Sequence, residues 1–277
     1  MGGLKNFVKD VFGLEEPVNT LKAAAKQPFK IFNPDETGRL EYSKKGWTWV
    51  FNALYFAIYR ISDRSADNLF EVLADNYKGV LGCGYFSGYR KYERLVGCII
   101  QFRLEHLKRD VKRLTENLDL EVSAYGQRLL ELIYEIFSVW HQYKDSEDPS
   151  FLVVILNIFE ELSKVAKNPP NHKKCKNIAT RFEEHGDYYK TFVFYPEIGL
   201  TNNAAERVQS SIVIDRYITR GTRGPAGRHF CELVWSASQT RVMNGYSLYK
   251  YLKEAIHAYY SDQPIPSLLT LKDKGGG

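Results

Sequence analysis

The chain has 277 residues, 44% hydrophobic and 14% aromatic, enough to bury the core of one large domain or two modest ones and too apolar for a disordered segment. Its formal net charge of +5 permits a polyanionic partner without requiring one, and no stretch approaches the ~20 apolar residues of a membrane span. Four scattered cysteines, Cys83, Cys98, Cys175 and Cys231, form no C-x-x-C pair, so neither a zinc site nor a disulfide framework is indicated. With no signal-peptide pattern at the start, the chain reads as a cytoplasmic protein.

Leu4, Phe7, Val8 and Val11 share a helical stripe, which predicts a short amphipathic helix ending before Pro17. "FKIFNPDETG" reads as a strand running into a turn. "GWTWVFNALYFAIYRIS" is rich in Trp, Tyr, Val and Ile over more than one strand's length and predicts two antiparallel strands. Ser65 is a candidate cap for a helix with Ala66, Leu69, Phe70 and Leu73 on one face. "KGVLGC" and "GCIIQF" are further strands, with a short helix between them. From Leu104 the period changes: Leu104, Leu107, Val111 and Leu114 form a helical stripe, and helical patterns follow at about 122–144, 150–167 and up to about 186. Beyond "FYPEIGLTNN" comes a helix containing Glu206, then the glycine- and arginine-rich "IVIDRYITRGTRGPAGRH", then helices through Phe230, Leu233, Val234 and Ala237 and through Leu248, Leu252 and Ala255. The order predicts a mixed sheet covered by helices, with an all-helical middle block.

Two carboxylates attract attention. Asp35 in "NPDETG" is placed where a side chain can project from a sheet rim, although Pro34, Asp35 and Gly38 are equally ordinary turn residues. Glu206 in "TNNAAER" fits a helix start in which Asn203 caps and Glu206 is its partner three residues on.

"NPDETG", "GWTWVF", "DRSADNLFEVLADNYKGVLGCGYFSGYRKY", "QFRLEHLKRDVKRL" and the long block from "TNNAAERVQSS" to "GYSLYKYL" occur together and in order. In these pieces the chain closely resembles the transposases of the insertion-sequence-66 group, from about residue 30 to the C-terminus. The resemblance implies a ribonuclease-H-like α/β core, a mixed sheet flanked by helices, with a helical insertion between its second and third acidic positions. On that reading, 1–28 is a helical lead-in, 29–116 the first part of the core, 117–198 the insertion, and 199–277 the closing part. The resemblance also implies an N-terminally short core without the usual end-recognition modules.

The implied chemistry is two-metal phosphodiester cleavage and strand transfer, with Mg²⁺ or Mn²⁺ held by two aspartates and a glutamate. Motif matching assigns Asp35 and Glu206 as catalytic metal ligands. The second aspartate belongs where this chain has Gly84, which offers no carboxylate, so activity is expected to be impaired. Glu93 and Asp75 are poor substitutes, one beyond the short helix and one ahead of the strand. His106 is a candidate to orient a phosphate or a water, while Arg103 and Glu105 stand where the family has small side chains. Cys83 reads as a buried strand residue, since Mg²⁺ does not favour thiolate.

The basic residues border these motifs. Lys44, Lys45, Arg90, Lys91, Lys108, Arg109, Arg216, Arg220, Arg223 and Arg228 are candidate DNA contacts, whereas Lys112 and Arg113 read as a solvated helix face. The implied partner is double-stranded DNA at transposon ends, bound by a homo-oligomer without membrane association, which would place the bound protein at a bacterial nucleoid. A non-catalytic, transposase-derived DNA-binding or regulatory protein is the alternative.

Overall fold

The computed structural model describes residues 14–26, 31–41, 44–198, 200, 221–222 and 224–269. Two compact units are distinguished: Met1–Leu81 with Phe86–Ile99 and Asn203–Gly277, and Gly82–Tyr85 with Ile100–Asn202.

The first unit opens on helix α1 (Glu15–Ala25), which buries Val18, Leu21 and Ala25. Pro17 lies inside its first turn, where a missing N–H costs nothing. The predicted stripe from Leu4 to Val11 lies outside the described residues. Strand β1 (Ile31–Glu41) continues through "NPDETG", so Asp35 is mid-strand and not at the rim of a turn. Its register with β2 (Lys44–Asn52) runs antiparallel from Asn33 opposite Asn52 to Glu41 opposite Lys44. Gly38 pairs with Trp47 inside this ladder, so the turn expected around it does not form there. Pro34 is tolerated because the parallel ladder on the other side of β1 pairs only Ile31 and Phe32, leaving less demand for its absent N–H.

Strand β3 (Ala57–Ser62) pairs antiparallel with β2, as the two-strand reading of "GWTWVFNALYFAIYRIS" expects. Helix α2 (Asp67–Val72) follows, and Ser65 is not its cap: Ala66 holds that position and the Ser65 carbonyl accepts from Asn68 Nδ2 at 3.2 Å. Strand β4 (Val80–Cys83), helix α3 (Ser87–Val96) and strand β5 (Ile99–Phe102) complete a five-stranded mixed sheet of order β3-β2-β1-β4-β5. All four residues of β4 are buried, Cys83 completely, as suits an apolar central strand.

From Leu104 to Phe194 the regular structure is helical. Helix α4 (Leu104–Thr115) leads into α5 (Leu120–Ser146), whose start is capped by Asp119 accepting from the Glu121 and Val122 N–H groups at 2.9 and 3.4 Å. Helices α6 (Ser150–Ala166), α7 (Lys173–His185) and the short α8 (Thr191–Phe194) follow. Within this unit, buried Gln101 ties β5 to the helical block. Its Nε2 donates to the Tyr189 carbonyl at 3.1 Å, and its Oε1 accepts from the Phe192 N–H at 2.7 Å.

The first unit closes with α9 (Pro225–Met243) and α10 (Leu248–Tyr260). Helix α9 covers the outer edge of β3. The N–H groups of Ala57, Tyr59 and Ile61 donate to Thr240 Oγ1, Ser236 Oγ and Glu232 Oε1 at 3.2, 2.9 and 2.6 Å. Four helical residues advance about 6 Å and two strand residues slightly more, so side chains four apart keep step with every second strand amide. Three donors that would invite another strand are thereby satisfied within the chain. No helix among the described residues is long and apolar enough to cross a membrane.

Candidate active site around Gly84

β4 delivers Gly84 to the end of a short buried strand, and α4 presents His106 in its first turn. The two meet closely. A Cβ built on Gly84 would lie 2.9 Å from His106 Nδ1 and 3.3 Å from Cε1, so the imidazole already fills the space a side chain at position 84 would enter. The backbone at Gly84 is not left-handed, unlike that at Gly97, Gly221, Gly224 and Gly245. Glycine is therefore not required there by torsion.

Around this pair is a cavity of about 120 Å³ that also has Arg103, Arg109, Asp110 and Arg181 in its wall. Tyr85, Phe102 and Tyr189 supply the aromatic part of the lining. Arg103 is buried at the start of α4, and Arg109 is exposed one turn beyond His106. Arg181 comes from α7, donating from Nη1 to Asp110 Oδ2 at 2.8 Å with its guanidinium 4.7 Å from the centre of the Tyr85 ring. Burial works against charge on Arg181, but the hydrogen bond to Asp110, the Asp110 charge and the neighbouring Tyr189 outweigh it and hold the guanidinium above its ordinary pKa. Burial pushes the Tyr189 hydroxyl up to about 12, so it stays protonated at neutral pH.

Asp35 belongs to the first unit. It is 8% exposed, opposite Val50 on β2, and its Oδ1 accepts from the Glu36 N–H at 3.0 Å. Glu36, on the other face of the same strand, accepts from the Tyr89 hydroxyl and from Arg64 Nη2 at 2.7 Å. Arg64 in turn lies 4.4 Å from the centres of both the Trp47 and Phe86 rings. Burial raises the Glu36 carboxyl above its usual range, with the hydrogen bonds from Tyr89 and Arg64 opposing and the Asp35 charge assisting. Glu206, Arg216, Arg220 and Arg223 lie outside the described residues.

The remaining basic candidates are placed as follows. Lys44, Lys45 and Lys91 are exposed, Arg90 is half-buried, and the Lys45 ammonium stands 5.4 Å from the centre of the Trp47 ring. Lys108 pairs with Glu105 at 2.6 Å and lies 4.9 Å from the Phe137 ring centre, so part of its charge is already engaged. Arg228 Nε stands 3.3 Å from Glu41 Oε1, which anchors the described end of the arginine-rich stretch to β1.

Magnesium takes oxygen ligands and is usually held through one or two carboxylates. Three guanidinium groups, an imidazole and one ion-paired aspartate make a donor set that does not fit such an ion at Gly84. Among the described residues, no group of three or more His, Cys, Asp or Glu side chains is placed to hold a metal. Sequence reasoning singles out Gly84 and His106, but not Arg181 or Tyr189 as their neighbours. No spacing signal connects positions so far apart, which meet only because the helices between them fold back.

Neither a curated protein nor a solved structure matches the chain. A model of the Transposase IS66 family matches residues 4–229, a span that includes the aspartate strand, the Gly84 motif, the helical block and Glu206. The chain belongs to the IS66 transposase family.

Proposed function

We propose that this chain is a DNA-binding transposase core of ribonuclease-H-like type, acting at transposon ends, in which phosphodiester cleavage and strand transfer are impaired at position 84. Family membership supports the transposase reading. The impairment is supported by one observation above the others: the motif position for the second catalytic aspartate holds Gly84, and the His106 ring occupies its side-chain space. Members of such a family generally depend on a divalent metal, and the arginine-lined surroundings of Gly84 are unfavourable to one.

DNA binding needs none of that chemistry. It draws on lysines and arginines meeting phosphates, and Lys44, Lys45, Lys91 and Arg109 are exposed and cationic. Six to ten phosphate contacts would weaken duplex affinity roughly 10³–10⁵-fold between 50 and 200 mM salt. The test is a duplex-binding titration across that range with metal chelated. The expected result is tight, steeply salt-dependent binding without metal. Binding that is absent at 50 mM salt, or indifferent to salt, contradicts the proposal.

A further inference from the structure

Helix α10 (Leu248–Tyr260) lies beyond residues 4–229, the span matched by the family model. Its inner face is fixed: Tyr251, Ala255 and Ala258 are buried, and the Tyr251 hydroxyl donates to the Pro266 carbonyl at 2.9 Å. Its outer face carries rings. Among the described residues, the two most exposed aromatic side chains are Tyr249 at 77% and Tyr260 at 71%, both on this helix. The helical period sets Tyr249, Lys253 and Tyr260 within about 40° of one another around the axis, the tyrosines about 16 Å apart along it. Lys250, Lys253 and His257 are exposed on the same side, while Glu254, the helix's one carboxylate, borders the buried face. Neither Lys250 nor Lys253 has an ion-pair partner among the described residues.

The solvent face of a packed helix is ordinarily charged and polar, so two exposed rings aligned there with lysines call for an occupant. A tyrosine ring turns about only two χ angles and loses little freedom on binding. Such rings stack on nucleobases of any sequence, and lysines beside them meet phosphates. A duplex hides its base faces in its own stack, so the pattern suits a single strand. A second copy of this face would set Lys250 and Lys253 against their equivalents, which like-charge repulsion opposes. We infer that the outer face of α10 binds single-stranded DNA, with bases stacked on Tyr249 and Tyr260 and phosphates on Lys250 and Lys253. The choice of DNA over RNA rests on membership of a transposase family. The surface uses none of the residues assigned to duplex contact above and requires no metal.

The full chain would be titrated, by fluorescence anisotropy, against a labelled oligothymidylate, an abasic strand of the same length and a duplex. The variants are the pair Tyr249→Ala with Tyr260→Ala and the pair Tyr249→Phe with Tyr260→Phe, with circular dichroism verifying each fold. The expected result is oligothymidylate binding weakened roughly tenfold or more by the alanine pair, through loss of two stacking platforms. The phenylalanine pair should bind as the wild type does, the abasic strand should bind more weakly, and duplex affinity should be unchanged by either pair. The inference is overturned if the wild type binds no oligothymidylate, if the alanine pair binds it as the wild type does, or if the abasic strand binds equally well. Equal weakening of duplex binding by the alanine pair would also overturn it. So would a wild-type dimer that the alanine pair dissociates in analytical ultracentrifugation, which would assign the face to a second copy.

Discussion

The backbone at Gly84 is ordinary, and the imidazole of His106 stands 2.9 Å from where a Cβ would be. An aspartate introduced there must turn that ring aside, which a terminal side-chain group can do at less cost than backbone can. A different residue-scale balance operates at Glu36, whose side chain is 7% exposed between Tyr89 and Arg64. Burial raises its pKa above the usual 4.5. As pH rises from that value the unfolded chain ionises first, so the stability contributed by the protonated group is lost by the time pH passes the raised folded value. Glu36→Gln lacks this loss. Its stability relative to wild type is therefore expected to be greater at pH 7 than at pH 4, the gap widening by about 1.4 kcal/mol for each unit of the upward shift. Urea denaturation at the two pH values checks this, and a gap that narrows toward pH 7 contradicts it.

The pairing of β3 with α9 shows how elements are matched by period. Thr240, Ser236 and Glu232 recur every fourth residue and meet the amides of Ala57, Tyr59 and Ile61 on the sheet edge. Ser236→Ala strands the buried Tyr59 N–H and is expected to cost about 1–3 kcal/mol, read as a lower urea midpoint with an unchanged slope. A midpoint equal to wild type would mean the edge is held by apolar packing alone. This polar stripe is not legible in the sequence, because serine, threonine and glutamate at helical spacing look like a solvated face until a strand edge is known to lie against them. The helices themselves are legible. Leu104, Leu107, Val111 and Leu114 are all buried in α4, and the long patterns in the middle block correspond to α5, α6 and α7. Local pattern misplaces Asp35 because proline and glycine in "NPDETG" mimic a turn, whereas the long ladder with β2 carries them inside β1. Long-range pairing outweighs local preference there.

For the whole molecule, the proposed impairment rests on one position within a chain that belongs to the IS66 transposase family over residues 4–229. The ordered motifs, from the Asp35 strand through the Gly84 turn to the Glu206 block, make that membership legible in the sequence alone. The cationic surroundings of Gly84 are not legible there, since Arg103 and Arg181 come together only through the folding of the second unit. If Gly84 impairs a core whose DNA-binding surface is otherwise retained, restoring the carboxylate should restore chemistry. The decisive experiment follows the nicking of an end-labelled duplex by this chain and by Gly84→Asp, each with Mg²⁺ and with Mn²⁺. The wild type is expected to leave the duplex intact with either metal, and the aspartate variant to nick it. Nicking by the wild type at the rate of the variant would contradict the impairment and assign the catalytic carboxylate to another position.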